Sequence, residues 1–435
     1  MNRQAAGGGT VVLGAGLAGL SAAHHLGRSC RVFEAAGRPG GLCATDHVQG
    51  YDFDLAGHLL HLRERSSREF VERLLPGRWQ HIRRDARIHV LDREVRYPIQ
   101  ANAFGLPADV KARVLQTYLE ARTRRGPAPE NFAEWARQTF GSALAELFFE
   151  PYNRKLWTVP PRELMLTWMG AYVPAPEPAR VIRGAFADIP EGGGYNARFW
   201  YPRKGGIGAL PQALARHVPE LRLNAPARKV DWRRRRVEIA GLGWVPWQRL
   251  VSTLPLPALA ARCLSLPEAV RRAAGKLRAN SVLVVNLGVR RARLHPAHWV
   301  YFPEKRFCFY RVGFPSNYGR LAPKGRSTLY AEVAVPAGTG WERRHQVARR
   351  VRQDLVQAGI LRNTDTVEIE HMQYLRHAYV IYDEAHAHAR KQVLDFFRKQ
   401  GIWSIGRWGN WEYSAMEDAL AAGKRAAEDI QGDLE

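Results

Sequence analysis

The sequence predicts an α/β fold. A nucleotide-binding domain is built from both ends of the chain, with a helical bundle and an antiparallel β-sheet domain inserted between them. Three observations carry this expectation. First, the apolar run Thr10-Val11-Val12-Leu13 leads into Gly14-Ala15-Gly16-Leu17-Ala18-Gly19, a helix to about Gly27 and a second strand, Arg31-Val32-Phe33-Glu34. This is a β–α–β opening of Rossmann-like type. Second, apolar residues recur at helical spacing over 107–125 and 131–151. Third, the runs 282–289, 299–302, 307–314 and 328–335 are β-rich and broken by Pro and Gly, as in an antiparallel sheet.

The other elements follow in chain order. Glycine and proline become frequent over 180–204, which reads as a connection. Helices are expected near 341–359 and 383–400. The strand Ile402-Trp403-Ser404-Ile405, a glycine turn and a helix from about Ala415 close the chain. A length of 435 residues exceeds one simple core. The expected division gives 1–75, 204–275 and 395–435 to the nucleotide-binding domain and 105–180 to the helical substrate domain. Residues 76–104, 181–203 and 276–394 go to the sheet domain.

Composition narrows the function classes. Hydrophobic residues make up 46% and charged residues 24%, as in ordinary globular proteins. No apolar run approaches the roughly 20 residues of a membrane-spanning helix. The N-terminus lacks an export pattern, and Cys30, Cys43, Cys263 and Cys308 form no CxxC pair, so a cytoplasmic location is expected. The net charge of +24 comes from scattered arginines. The dense run Arg233–Arg236 sits between Asp231-Trp232 and Val237-Glu238-Ile239 and reads as an exposed hairpin turn. With no zinc-finger, helix-turn-helix or RNA-binding signature, no nucleic-acid partner is expected. The pairs His58/His61 and His386/His388 lack carboxylate or thiolate partners at ligand spacing, so no metal is expected.

Each glycine of the turn has a mechanical task. Gly14 permits the tight turn, Gly16 lets a pyrophosphate approach, and Gly19 lets the helix pack closely on the sheet. Leu17 and Ala18 begin a helix whose free N–H groups face a phosphate. Glu34, twenty positions after Gly14, is placed to accept hydrogen bonds from the ribose hydroxyls. The segment Gly37-Arg38-Pro39-Gly40-Gly41-Leu42 then resembles flavoproteins such as amine oxidases and protoporphyrinogen oxidase. The resemblance implies FAD, approached by Arg38, Gly40, Gly41 and Leu42. Arg228-Lys229-Val230 and Val251-Ser252-Thr253-Leu254-Pro255 resemble the strands that contact adenine and return to the flavin ring. Gly406-Arg407-Trp408-Gly409, with the helix containing Met416, resembles the segment that brings a second helix N-terminus to the flavin.

Further segments resemble the UDP-galactopyranose mutase family of eukaryotic type, in the same order along essentially the whole chain. Phe53-Asp54-Leu55-Ala56-Gly57-His58 is similar to that family's mobile histidine loop. Val95-Arg96-Tyr97-Pro98-Ile99-Gln100 is similar to its uracil segment, and Pro151-Tyr152-Asn153-Arg154-Lys155-Leu156-Trp157 to its nucleotide helix. Trp299–Glu304, Phe309-Tyr310-Arg311, His377-Ala378-Tyr379 and Gly406–Tyr413 complete the series. The resemblance implies that Tyr97, Gln100, Asn153 and Trp157 read the nucleotide. Arg311, Tyr301, Tyr379 and Tyr413 would hold the diphosphate, and Asn196 would line the sugar pocket. The aromatic, amide and guanidinium chemistry suits those tasks.

The implied reaction interconverts pyranose and furanose forms of a nucleotide sugar, UDP-linked, through an adduct between reduced flavin N5 and the sugar, with no net oxidation. Reduced FAD is the implied active form, and NAD(P)H or a flavin reductase the external reductant. The Gly57 carbonyl would accept from flavin N5–H, and His58 would order the loop. One position departs from the family: Tyr172, preceded by Ala171, stands where a second diphosphate arginine is expected. Arg180 and Arg183 are the nearby alternatives. An oxidase or desaturase of amine, porphyrinogen or carotenoid type, or a catalytically silent flavoprotein, would keep the same FAD motifs.

Overall fold

The computed structural model describes residues 9–123, 126–169, 177–189 and 197–432. Distant parts of the chain build one five-stranded parallel sheet. Its order is Ile402–Ser404, Arg249–Ser252, Thr10–Leu13, Cys30–Phe33, Leu221–Arg222. Val11, Val12, Leu250 and Val251 have no exposed surface, as strands covered on both faces require. The helices Leu17–Leu26 and Met416–Gly432 pack closely: a Cβ on Gly423 would lie 2.3 Å from the Ala18 carbonyl oxygen. Both ends of the chain thus share one sheet, as the sequence led one to expect.

The second sheet has seven strands in the order Val367–Leu375, Ser281–Val289, Ser327–Val335, Arg311–Gly313, Trp299–Tyr301, Ala86–Val90, Arg93–Arg96. It corrects the sequence reading in three ways. It is mixed, because Trp299–Tyr301 runs parallel to Ala86–Val90. The strand expected over 307–314 is only Arg311–Gly313, since Phe307 and Phe309 turn into a core cluster with Phe302. The edge strand Val367–Leu375 was not foreseen, because its Glu and His residues mask the apolar alternation of a half-buried edge.

The helix expected over 131–151 is also broken. Phe132–Phe140 starts on Asn131, whose side chain accepts the Glu134 N–H at 3.1 Å, and stops at Gly141. Gly141 has φ of +83°, and a Cβ there would lie 2.5 Å from the Thr117 carbonyl carbon. The chain resumes through Ser142–Leu144 and a wide turn, Ala145–Phe149, into the helix Glu150–Trp157. The helices Ala108–Thr123, Arg344–Gln357 and His386–Lys399 lie where periodicity put them. The arginine run turns between the antiparallel strands Ala227–Asp231 and Arg236–Ile239.

Candidate active site

One cavity of about 1010 Å³ begins at the C-terminal ends of the parallel strands and reaches the seven-stranded sheet. Its first wall is the glycine turn, with Gly14, Gly16, Leu17, Ala18, Glu34, Gly40, Gly41, Leu42, Gly406 and Met416 among the lining residues. Gly14 has φ of +98°, and a Cβ there would lie 2.2 Å from Thr253 Oγ1. A Cβ on Gly16 would find nothing nearer than Gly41 Cα at 4.0 Å, so the space it would occupy is open. Gly16 precedes the first helix without a side-chain cap, leaving N–H groups for an anion. Gly19 lies beneath the turn, where a Cβ would be 2.0 Å from the Gly14 carbonyl oxygen. The Glu34 carboxylate accepts the Ala15 N–H at 2.6 Å and the Ala36 N–H at 2.8 Å, so it braces the turn as well as facing the cavity.

The strand Tyr51–Asp54 delivers the histidine loop to the middle of this cavity. Asp54 anchors the strand end: its buried carboxylate accepts from Thr45 Oγ1 and the Tyr201 hydroxyl at 2.6 Å each, and from the Ile207 N–H at 3.0 Å. Burial pushes that carboxyl up to about 6. Gly57 and His58 both line the cavity. A Cβ on Gly57 would lie 2.1 Å from the Tyr330 hydroxyl, so only glycine fits. Burial, followed by the Arg407 charge, pulls the His58 imidazole down to about 4.

The far wall is a group of phenols around one ion pair. Arg311 donates from Nε and Nη2 to Glu332 at 2.8 and 2.7 Å, and Glu332 has no exposed surface. The same carboxylate accepts the Gly57 N–H at 3.2 Å, tying the histidine loop to the arginine. Burial is the largest influence on Arg311 and opposes its charge, but Glu332 together with Tyr330, Tyr379 and Tyr310 outweighs it, and the guanidinium titrates well above its usual range. Tyr301, Tyr310, Tyr379 and Tyr413 stand beside the pair on the cavity wall. The hydroxyls of Tyr310 and Tyr379 are 3.5 Å apart, and the rings of Tyr379 and Tyr413 lie nearly parallel at 6.4 Å. Burial pushes Tyr379 up to about 12, so the phenol keeps its proton as a donor.

The chain as a whole matches a known group of proteins. A profile of flavin-containing amine oxidoreductases matches residues 17–431. The chain belongs to that family. This flavoenzyme is 27% identical over 380 residues to a zeta-carotene-forming phytoene desaturase of Myxococcus xanthus, covering 75% of this chain and 72% of the other. Its fold matches reduced UDP-galactopyranose mutase with a TM-score of 0.91 at 25% identity, covering 98% of this chain and 95% of that one. Putrescine oxidase bound to putrescine shares the fold at a TM-score of 0.64 and 17% identity, covering 98% and 99% of the two chains. Family membership implies a bound flavin, and the glycine cradle with its uncapped helix fits FAD.

Arg38, Val230, Asn153, Trp157, Gln100 and Tyr97, all singled out in the sequence, do not reach the wall of the flavoenzyme's cavity. Arg38 instead donates to the Thr45 carbonyl at 2.6 Å and pairs with Asp46. Val230 is fully buried in its strand. Asn153 and Trp157 are buried behind the phenols, the indole N–H donating to Asn153 Oδ1 at 3.0 Å. Asn153 in turn donates to the Phe149 carbonyl at 2.8 Å. Gln100 is buried, and Tyr97 stands behind Tyr301 at a ring separation of 5.2 Å. Tyr172 and Asn196 lie outside the described residues. Arg183 is exposed on the helix Pro178–Phe186, and neither it nor Arg180 is on the cavity wall.

Sequence reasoning missed Glu332, Arg84 and Arg407, all on that wall. Arg84 lies 5.0 Å from the Tyr97 ring centroid. Arg407 donates to the Ala378 and Ser414 carbonyls and lies 4.7 Å from the Tyr413 ring centroid. The motif Gly406-Arg407-Trp408-Gly409 contained a usable signal for Arg407, a basic residue beside the flavin-type glycine turn. Among the described residues, no cluster of three or more His, Cys, Asp or Glu could hold a metal. No helix among them is long and apolar enough to cross a membrane.

Proposed function

We propose that this flavoenzyme interconverts the pyranose and furanose forms of a nucleotide sugar, UDP-linked, with no net oxidation. The observation that carries the reading is the likeness to reduced UDP-galactopyranose mutase over nearly the whole of both chains. The chemistry of the cavity supports it. Four phenols, the Arg311–Glu332 pair and the arginines 84 and 407 make a donor-rich wall suited to a diphosphate. An apolar polyene would have to desolvate those groups without compensation.

In this reading the parallel-sheet segments hold the cofactor, and the seven-stranded sheet with the helical segments holds the substrate. FAD, when bound and reduced, supplies a nucleophilic nitrogen toward the anomeric carbon. The chain supplies position and charge. Tyr301, Tyr379 and Tyr413 donate to diphosphate oxygens, and Arg311 adds its remaining N–H groups beside them. Glu332 holds Arg311 in one orientation and partly cancels its charge, which favours release and recapture of the diphosphate over tight retention. The Gly57 N–H is engaged by Glu332, which leaves the Gly57 carbonyl as the loop's acceptor for a proton on the flavin. His58, neutral above about pH 4, adds no charge there. Asn153 and Trp157, which satisfy one another behind the phenols, together with Tyr97 behind Tyr301 and the buried Gln100, back the nucleotide side without lining the cavity, and the family resemblance alone assigns Asn196 and Tyr172 to the sugar side. NAD(P)H or a flavin reductase supplies the activating electrons.

The second reading, a desaturase or oxidase, is favoured by the identity to the phytoene desaturase. Titration of UDP into the reduced protein separates the two. A saturable change in the flavin spectrum is expected for the mutase. No change at millimolar UDP, with turnover of a polyene or amine, would establish the alternative.

A further inference from the structure

Lys155 projects from the helix Glu150–Trp157 into the chain that links the strands Trp299–Tyr301 and Arg311–Gly313. Its Nζ donates to three backbone carbonyls: Phe302 at 2.7 Å, Glu304 at 3.1 Å and Phe309 at 2.6 Å. An ammonium has three N–H donors, so donors and acceptors match one to one. Two of those carbonyls belong to the neighbours of Tyr301 and Tyr310, and Arg311 follows directly. The link is also held by the Phe302 N–H on the Tyr310 carbonyl at 2.9 Å, the Tyr310 N–H on the Glu332 carbonyl at 3.0 Å, the Cys308 N–H on Asp354 at 2.6 Å and Arg350 Nη2 on the Arg306 carbonyl at 2.8 Å.

We propose that Lys155 is a positioning residue for substrate: its ammonium gathers the 302–309 link into a collar that sets Tyr301, Tyr310 and Arg311 against the diphosphate. The proposal rests on the nucleotide-sugar reading for its substrate, and on the three carbonyl contacts for its geometry. A neutral amine keeps only two N–H groups and turns a lone pair toward a carbonyl, so the collar depends on the proton.

The surroundings make that proton labile. Burial is the largest influence and draws the Lys155 ammonium down to about 7. The acids that face it are already engaged. Glu304 pairs with Arg306 at 3.1 Å, and Asp354 pairs with Arg350 at 2.8 Å and accepts the Cys308 N–H at 2.6 Å. The Cys308 thiol is pushed up to about 12 by burial and stays neutral. The sign for folding is separate. The folded value lies below the ordinary lysine value of 10.5, so between the two the unfolded chain binds more protons and stability rises with pH. Raising the pH through 7 therefore loosens the collar without unfolding the protein.

Two measurements test this on the FAD-loaded protein. The first titrates the reduced enzyme with UDP-galactose from about pH 6 to about pH 9, a range in which its diphosphate diester does not ionise. Affinity is expected to fall by about tenfold across pH 7, and in Lys155→Met to be weak and flat at unchanged FAD content. The second is amide hydrogen exchange at one pH. Peptides covering 299–313 should exchange faster in Lys155→Met while those of the parallel sheet do not change. Should Lys155→Met fail to fold, Lys155→Gln and the wild-type pH profile carry the test. Wild-type affinity and pH profile in the variant, or unchanged exchange over 299–313, overturns the proposal. If the wild type binds no UDP-sugar at any pH, the nucleotide reading and the substrate role of the collar both fall. Exchange then decides whether Lys155 sets this link at all.

Discussion

Glu332 has no exposed surface, yet it joins Arg311 to the backbone of Gly57. Arg311→Ala would leave that carboxylate buried and unpaired. A loss of about 3–5 kcal/mol of stability is expected, seen as a lower denaturation midpoint alongside weaker UDP binding. The double variant Arg311→Met with Glu332→Leu should recover most of the stability and none of the binding. Recovery of both would remove Arg311 from the diphosphate site. Arg311 was legible in the sequence through its motif. Glu332 was not, because it faces Arg311 only through the register of two antiparallel strands, 21 residues apart.

His58 gives a second test at the residue scale. Its folded value, about 4, lies below the ordinary 6.5, so the unfolded chain binds the extra proton in that window. Its contribution is present above pH 6.5 and lost as the pH falls toward 4. Melting curves of wild type and His58→Gln across that range should converge on acidification. Curves that stay parallel would mean the imbalance lies elsewhere. Tyr172, outside the described residues, carries a residue-scale test that rests on the family resemblance alone. Tyr172→Arg should tighten UDP binding without necessarily raising turnover, since ground-state affinity need not help the transition state. Equal UDP titrations of the two proteins would make the departure from the family silent.

At the scale of elements, the glycine turn is the part the sequence specified best, because each glycine answers a local steric demand. Gly19→Ala would drive a Cβ to 2.0 Å from the Gly14 carbonyl oxygen and displace the helix end that faces the cavity. Colourless protein, or FAD lost on gel filtration, is the expected result. Gly275→Ala, where a Cβ meets nothing within 4 Å, is the control and should keep its flavin. Elements governed by distant packing were less legible. Gly141 breaks the helix expected over 131–151 because Thr117, from another helix, comes too close for a side chain. The strand Val367–Leu375 exists because Ser281–Val289 pairs with it, a partner no local pattern announces. Asn153 and Trp157 were read as nucleotide contacts from their helix motif, whereas their side chains satisfy one another behind the phenols. Any effect they have on the nucleotide would pass through Tyr379, whose ring lies 5.5 Å from Trp157.

On the scale of the whole molecule, the two chain ends meet in one sheet and carry both helix N-termini to one end of the cavity. The intervening chain builds the other end. The meeting of the two chain ends was visible in the order of motifs, while the mixed sheet and the ion pair were not. The central claim is that this architecture is used for ring interconversion without net oxidation, and one measurement addresses it directly. The dithionite-reduced, FAD-loaded protein is incubated with a panel of UDP-sugars, with products separated by chromatography and reductant consumption followed in parallel. Ring-isomerised product from at least one UDP-sugar is predicted, with many turnovers per reduced flavin and none from the oxidised protein. No isomerised product, or one equivalent of reductant or oxidant consumed per product, would contradict it.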